Sequence, residues 1–157
     1  MIKIIKAEEK HIPDICKLWW EFMKYSESFD PVFAPVEGAI PLFEKQELRP
    51  AMQNKNSLIL VALDGKKVVG YGYSLIYGPS KLTMKEDKAG CIHDLFITRD
   101  CRRQGIGKTI YTEILKWFRS KDVNRIYLDV NVNNHEANEF WRKLGYTYFQ
   151  ITLSRKI

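Results

Sequence analysis

Apolar residues recur along this chain at two periods, and the switches between them mark out its elements. Residues 2–7, "IKIIKA", read as a first strand. Over 12–25, Ile15, Leu18, Trp19 and Phe22 fall at helical spacing, with Pro13 in the first turn, so a helix is expected. A loop with two prolines follows, "SESFDPVFAP", then a second helix within 37–54, its limits blurred by Pro41 and Pro50. Residues 58–63 and 68–77 form a hairpin around the turn "DGKK" at 64–67. Residues 88–98 are a further strand. Ile106, Ile110, Ile114, Leu115 and Phe118 trace one helix face. A strand is expected at 125–132. Ala137, Phe140, Trp141 and Leu144 mark a short helix stopped by Gly145. Residues 146–156 close the chain as one strand or a bent pair. With no repeat, low-complexity tract or linker, residues 1–157 read as one α/β domain. Its front half is antiparallel and a helical crossover lies behind it.

Composition narrows the partners. Hydrophobic residues make up 45% and charged residues 28% of 157, as in an ordinary globular domain. The net charge of +6 suits an anionic ligand, and either a nucleotide-like cofactor or nucleic acid satisfies it. The three cysteines, Cys16, Cys91 and Cys101, show no repeated spacing, so neither a disulfide framework nor a metal site is expected. The first residues lack the apolar core of a secretory signal, and no run reaches the length of a membrane span. A soluble, cytoplasmic protein with no membrane partner is the expectation.

The stretch "CRRQGIGKT", residues 101–109, carries the chemistry. Its Gly-Lys-Thr ending invites a phosphate-loop nucleotidase reading, but the residue five places before Gly107 is Arg102 where that motif needs glycine. A dinucleotide fingerprint fails at its third glycine, which is Ile110. What remains is a strand, Arg-x-x-Gly-x-Gly, then a helix. Glycines let a ligand lie against the backbone. The N–H groups of Arg103, Gln104, Gly105, Ile106, Gly107 and Lys108 open a helix whose N-terminus favours an anion. Arg102, Arg103 and Lys108 add full charges. A pyrophosphate fits there without a metal.

In this setting "IHDLFITRDCRRQGIGKTIYTEIL" resembles motif A of the GNAT superfamily of N-acetyltransferases, through Arg102, Gly105 and Gly107. "NNHEANEFWRKLGY" resembles its motif B, through Asn134, Ala137, Phe140 and Gly145. The resemblance runs from about Leu58 to Tyr146. It implies a GNAT-like fold, with a mixed central sheet whose parallel strands splay apart and helices on its flanks. It also implies acetyl-CoA as co-substrate, with no metal. The pantetheine arm would lie along Leu95, Phe96 and Ile97 and the pyrophosphate at 103–108, with Asn134 and Trp141 also near the cofactor. Asn134 is equally placed to cap a helix.

The reaction this resemblance implies is direct attack of a primary amine, on a small molecule or a peptide, upon the acetyl group. His93 stands where several relatives carry a glutamate, and its ordinary pKa of about 6.5 suits a base near neutral pH. Strand alternation puts His93 and Asp94 on opposite faces, which leaves Asp94 to hold a loop or helix end. Trp141 replaces the motif B tyrosine that would protonate the leaving thiolate, so Tyr146 or water is expected to take that role. Tyr25, Glu27, Phe29 and Asp30 lie on the loop that walls the acceptor site in relatives. Cys101 reads as structural. Two rival readings stand beside the enzyme. One is an acyl-CoA-sensing module without catalysis. The other is a nucleic-acid binder, disfavoured because no recognition helix and no aromatic-plus-basic sheet is evident. No nucleic-acid partner is expected. Homodimers are common in folds of this kind, so a homodimer is one expected state.

Overall fold

The computed structural model describes residues 1–78 and 88–155. Five strands form one sheet in chain order: β1 (Ile2–Lys6), β2 (Ser57–Asp64), β3 (Lys67–Tyr77), β4 (Ala89–Ile97) and β5 (Ile126–Tyr127). The first four are antiparallel neighbours, and β5 joins β4 in parallel. The β2–β3 hairpin forms where the alternation places it, around a tighter turn at Gly65 and Lys66, with Gly65 at φ +59.

Both faces of the sheet are covered. On one side, α1 (Ile12–Glu27) packs with a helical run composed of α2 (Ala39–Phe43), a π-helical turn (Glu44–Leu48) and α3 (Arg49–Gln53). On the other lie α4 (Ile106–Ser120) and α5 (His135–Lys143). Strand β2 serves both layers: Ile59 and Val61 enter the α1 side, while Leu58, Leu60 and Ala62 enter the α4 side. That is the near-continuous apolar run of a strand buried on both faces. Trp19 of α1 stacks on Phe43 at 4.3 Å between ring centroids. The α4 face lies as its spacing predicts, with Ile106, Ile110, Ile114 and Phe118 buried. It comes close to the sheet because β3 and β4 offer glycines beneath it. A Cβ on Gly72 would stand 2.6 Å from Ile110, and one on Gly90 would stand 2.6 Å from Phe118.

Two expected strands differ. The strand foreseen at 125–132 is reduced to Ile126–Tyr127, paired with β4 only at Gly90↔Ile126 and Cys91↔Tyr127. Residues 146–155 carry no strand, and Tyr148, Phe149, Ile151 and Leu153 are exposed. Alternation gives a segment the propensity for a strand, but a strand exists only where an edge pairs with it. Lys156 and Ile157, at the end of that expected strand, lie outside the described residues. The short β5 has a consequence for the site. Among the described residues, no strand lies against the β5-facing edge of β4 beyond Cys91.

Candidate active site

The open edge of β4 leads into the glycine-containing loop and the start of α4. A 3-10 turn (Arg99–Cys101) reverses the chain, and Arg103 (φ 62) and Gly105 (φ 80) take left-handed backbone. Gly105 is the N-cap of α4, a position with no side chain to satisfy the first amides. The first helical bond there runs from Thr109 N–H to Gly105 C=O at 3.0 Å. The N–H groups of Ile106, Gly107 and Lys108 therefore lead the helix. No acidic residue occupies that first turn. At Gly107 a Cβ would meet Phe140 at 3.6 Å and Ile97 at 4.0 Å, ordinary contact distances. The protein's own packing thus does not demand glycine at 107. The absence of a side chain leaves the backbone between Ile97 and Phe140 bare at the leading turn of the helix, where an anion is favoured.

Backbone direction along β4 follows from two anchors. Thr98 N–H bonds Val69 C=O on β3, whereas Gly90 N–H bonds Arg125 C=O on the other side. By alternation back from Thr98, Leu95 and Ile97 turn their backbone polar groups to the open edge, whereas those of Phe96 face β3. The Phe96 ring is buried on the α1 side.

The motif arginines differ in use. Arg102 donates from Nε to Ile97 C=O at 3.0 Å and from its terminal nitrogen to Glu136 at 3.1 Å. Its guanidinium lies 4.7 Å from the Tyr25 ring centroid and 5.4 Å from that of Phe96. It ties together the end of β4, α1 and the first turn of α5. Arg103 is exposed, at 71% of its side chain, and reaches Glu136 at 3.3 Å. The Tyr25 hydroxyl donates to the same carboxylate at 3.4 Å. Glu136 thus gathers three donors, a role the sequence reading missed. Its signal was an acid two residues after the motif asparagine, in the first turn of a helix. Glu21, Tyr25, Phe96, Thr98, Arg99, Arg102 and Glu136 line a cleft of about 460 Å³. Gln104 bonds back to Asp100 C=O at 3.4 Å.

The strongest departure from expectation is at His93. Across β3 and β4, Tyr73 opposes Asp94 and Ser74 opposes Ile92, so His93 is the extra residue of a β-bulge. Before the bulge, Gly90 and Ile92 face the α4 layer. After it, Leu95 and Ile97 do. His93 and Asp94 consequently share the α1-side face with Phe96, and the expected opposition of the two is corrected. Asp94 is 4% exposed and accepts from the Tyr71 hydroxyl at 2.9 Å. Its other oxygen lies 3.1 Å from His93 Nδ1. It holds no loop or helix end. The His93 ring lies 5.0 Å from that of Tyr73 and keeps 41% of its side chain exposed. The hydrogen bond with Asp94 raises the His93 pKa, against a smaller opposing effect of burial.

Other candidates take structural places. Asn134 caps α5, accepting from Ala137 N–H at 3.1 Å. Trp141 is buried among Tyr111, Phe140 and Tyr146, not at the open edge. Burial pushes the Tyr146 hydroxyl far above the ordinary tyrosine range, unsuited to releasing a proton. Of the residues expected on a loop beside the acceptor, Tyr25 and Glu27 instead lie in the last turn of α1; Tyr25 reaches the cleft, and the Phe29 ring packs edge-on against the Tyr25 ring at 4.8 Å. Glu27 pairs with Lys24 at 2.8 Å, and Asp30 accepts from Val32 N–H at 2.9 Å.

The sequence matches the model of the acetyltransferase (GNAT) family over residues 12–146. The chain belongs to that family. Several solved structures share the fold of this GNAT domain. A tetramutant of the BH1408 protein from Bacillus halodurans superposes with a TM-score of 0.85 at 22% identity, covering 99% of each chain. A transcriptional regulator from Bacillus halodurans C-125 gives 0.80 at 18%, covering 100% of each. The aminoglycoside N-acetyltransferase AAC(6')-Iy in complex with CoA gives 0.75 at 13%, covering 99% of this chain and 95% of that one. No curated protein matches the sequence. Among the described residues, no helix is long and apolar enough to cross a membrane.

Proposed function

We propose that this GNAT domain transfers an acetyl group from acetyl-CoA to a primary amine of a small molecule or peptide, by direct attack with both substrates bound. The observation that carries the reading is the continuity of two features. Among the described residues no strand pairs with the β5-facing edge of β4 beyond Cys91; the polar groups of Leu95 and the Ile97 N–H lie along it, the Ile97 C=O being held by Arg102, and it runs into the leading amides of α4 at Gly107. A thioester supplies an activated acetyl group and a thiolate leaving group.

The chain's own contribution starts with binding. The amides of Ile106, Gly107 and Lys108 face the pyrophosphate, with Lys108 and the exposed Arg103 adding charge. Arg102 contributes by fixing the loop, because its guanidinium is already committed to Ile97 and Glu136. His93 then serves as base. It lies on the same face as Phe96, three residues and roughly 10 Å along the strand at ~3.3 Å per residue. An ammonium must lose a proton to become nucleophilic, and neutral His93 accepts it. The amine nitrogen forms the new C–N bond, the C–S bond breaks and its electron pair leaves on sulfur. The second nitrogen proton passes to solvent. With Trp141 and Tyr146 in the core, the thiolate departs without a side-chain acid. The cleft lined by Tyr25, with Phe29 packed on that ring, is the acceptor's side; AAC(6')-Iy, which shares the fold, has been solved with a bisubstrate analogue, CoA-S-monomethyl-acetylneamine.

The test is release of CoA thiol across a panel of amines, in parallel for wild type and His93→Gln. Expected is turnover by wild type and a kcat fall of about 100-fold or more in the variant, with KM for acetyl-CoA unchanged. Acetyl-CoA binding with no turnover on any amine would favour the sensing module instead.

A further inference from the structure

The bulge in β4 brings Asp94 and His93 into line with Tyr71 of β3 on a largely apolar face. Tyr71 and Asp94 are buried, and only His93 reaches solvent. A buried carboxylate is costly unless its oxygens are paired, and here each oxygen has one partner. The Tyr71 ring is itself part of the α1-side core beside Tyr73 and Phe96, whereas its hydroxyl is spent on Asp94.

We propose that Asp94 and Tyr71 are positioning residues that fix the tautomer and orientation of His93, so that its Nε2 carries the lone pair used as base. The inference rests on His93 being the base of the proposed reaction. With the Tyr71 hydroxyl donating to Oδ2, the Asp94 carboxylate accepts at Oδ1 as well. An ionised carboxylate has no proton to give, so His93 Nδ1 must carry the hydrogen. In the neutral ring that leaves Nε2 unprotonated. The Tyr73 ring, 5.0 Å away, restricts the imidazole from the β3 side. The bulge is what permits this. In regular pleating, adjacent residues face opposite ways and their side chains cannot bond to each other across the strand.

The experiment is nitrogen-detected NMR of His93 through a pH titration, together with steady-state kinetics, on wild type, Asp94→Asn and Tyr71→Phe. Other groups bearing on the histidine are Glu47 from the π-helical turn and Asp129 beyond β5, while Tyr73 and Cys91 bear on Asp94. All are unchanged across the series. Expected in wild type is the Nδ1-protonated neutral tautomer. Asp94→Asn should lower the His93 pKa, move the neutral ring toward the Nε2-protonated form, and cut kcat on the order of 10-fold or more while sparing KM for acetyl-CoA. Tyr71→Phe should shift the His93 pKa the opposite way, upward, because a carboxylate that loses its hydroxyl donor presents more charge to the ring. Opposite shifts are not produced by a loss of packing alone. An Nε2-protonated tautomer in wild type overturns the inference. So does a His93 pKa unmoved in both folded variants. Because the tautomer is read without substrate, this result stands apart from the acetyl-transfer reading, which falls if wild type neither binds nor turns over acetyl-CoA.

Discussion

At the residue scale, His93 links the site to pH. Its pKa is raised above 6.5 in the folded protein, chiefly by the hydrogen bond with Asp94. The folded state therefore holds that proton more tightly than the unfolded chain. This stabilisation is fully present below the unfolded value and is lost as pH rises through the folded one. Thermal melts of wild type and His93→Gln should differ most at acid pH, and the gap should shrink as pH rises from the ordinary histidine value through the higher folded one. A gap that widens with pH contradicts the Asp94–His93 pairing. The same shift acts against the base below its folded pKa, so kcat should rise with pH on an acid limb above 6.5. Some of this was legible in sequence. Arg102, Gly105 and Gly107 are singled out by type and spacing, and His93 through the family resemblance, at a place where relatives carry a glutamate. The link between His93 and Asp94 was not, because a bulge is set by the register of two paired strands and leaves no mark in the alternation of one. Glu136 was missed for a related reason: its partners Tyr25 and Arg102 lie far from it in sequence and meet only through the fold.

At the element scale, α4 sits where it does because the sheet beneath it is thin. Gly72→Val would drive a branched side chain into Ile110 and Ile114, whose atoms stand 2.6 and 3.2 Å from an added Cβ. Overpacking of this kind costs about 1–3 kcal/mol, measurable as a lower denaturant midpoint. Because α4 carries the open amides, its displacement should also weaken acetyl-CoA binding. A variant as stable as wild type would mean that α4 is held less tightly to the sheet than the contacts imply. Helices were the most legible elements, since α1 and α4 each bury a continuous face that the 3.6 period announces. The β2–β3 hairpin was legible through its turn. The last strands were not. A two-residue β5 and an unpaired 146–155 both carry alternating apolar residues, and only the presence of a neighbouring edge decides whether such a segment pairs.

At the scale of the whole molecule, the +6 charge and the splayed β4 edge point to one anionic ligand. Anything that binds only the folded chain stabilises it by mass action, by about 2.7 kcal/mol at 100 times Kd. The most direct test of the account is calorimetric titration with acetyl-CoA against ATP and NADH, on wild type and Gly107→Glu. A Cβ at 107 makes only ordinary contacts with Phe140 and Ile97, so Gly107→Ala serves as the size control, and a thermal melt establishes that Gly107→Glu is folded before it is titrated. Its carboxylate would lie over the helix N-terminus and repel the pyrophosphate. Saturable acetyl-CoA binding by wild type, absent with NADH and lost in the folded variant, is the predicted result. Failure of folded wild type to bind acetyl-CoA, or equal binding by Gly107→Glu, would contradict the assignment of this loop to the cofactor.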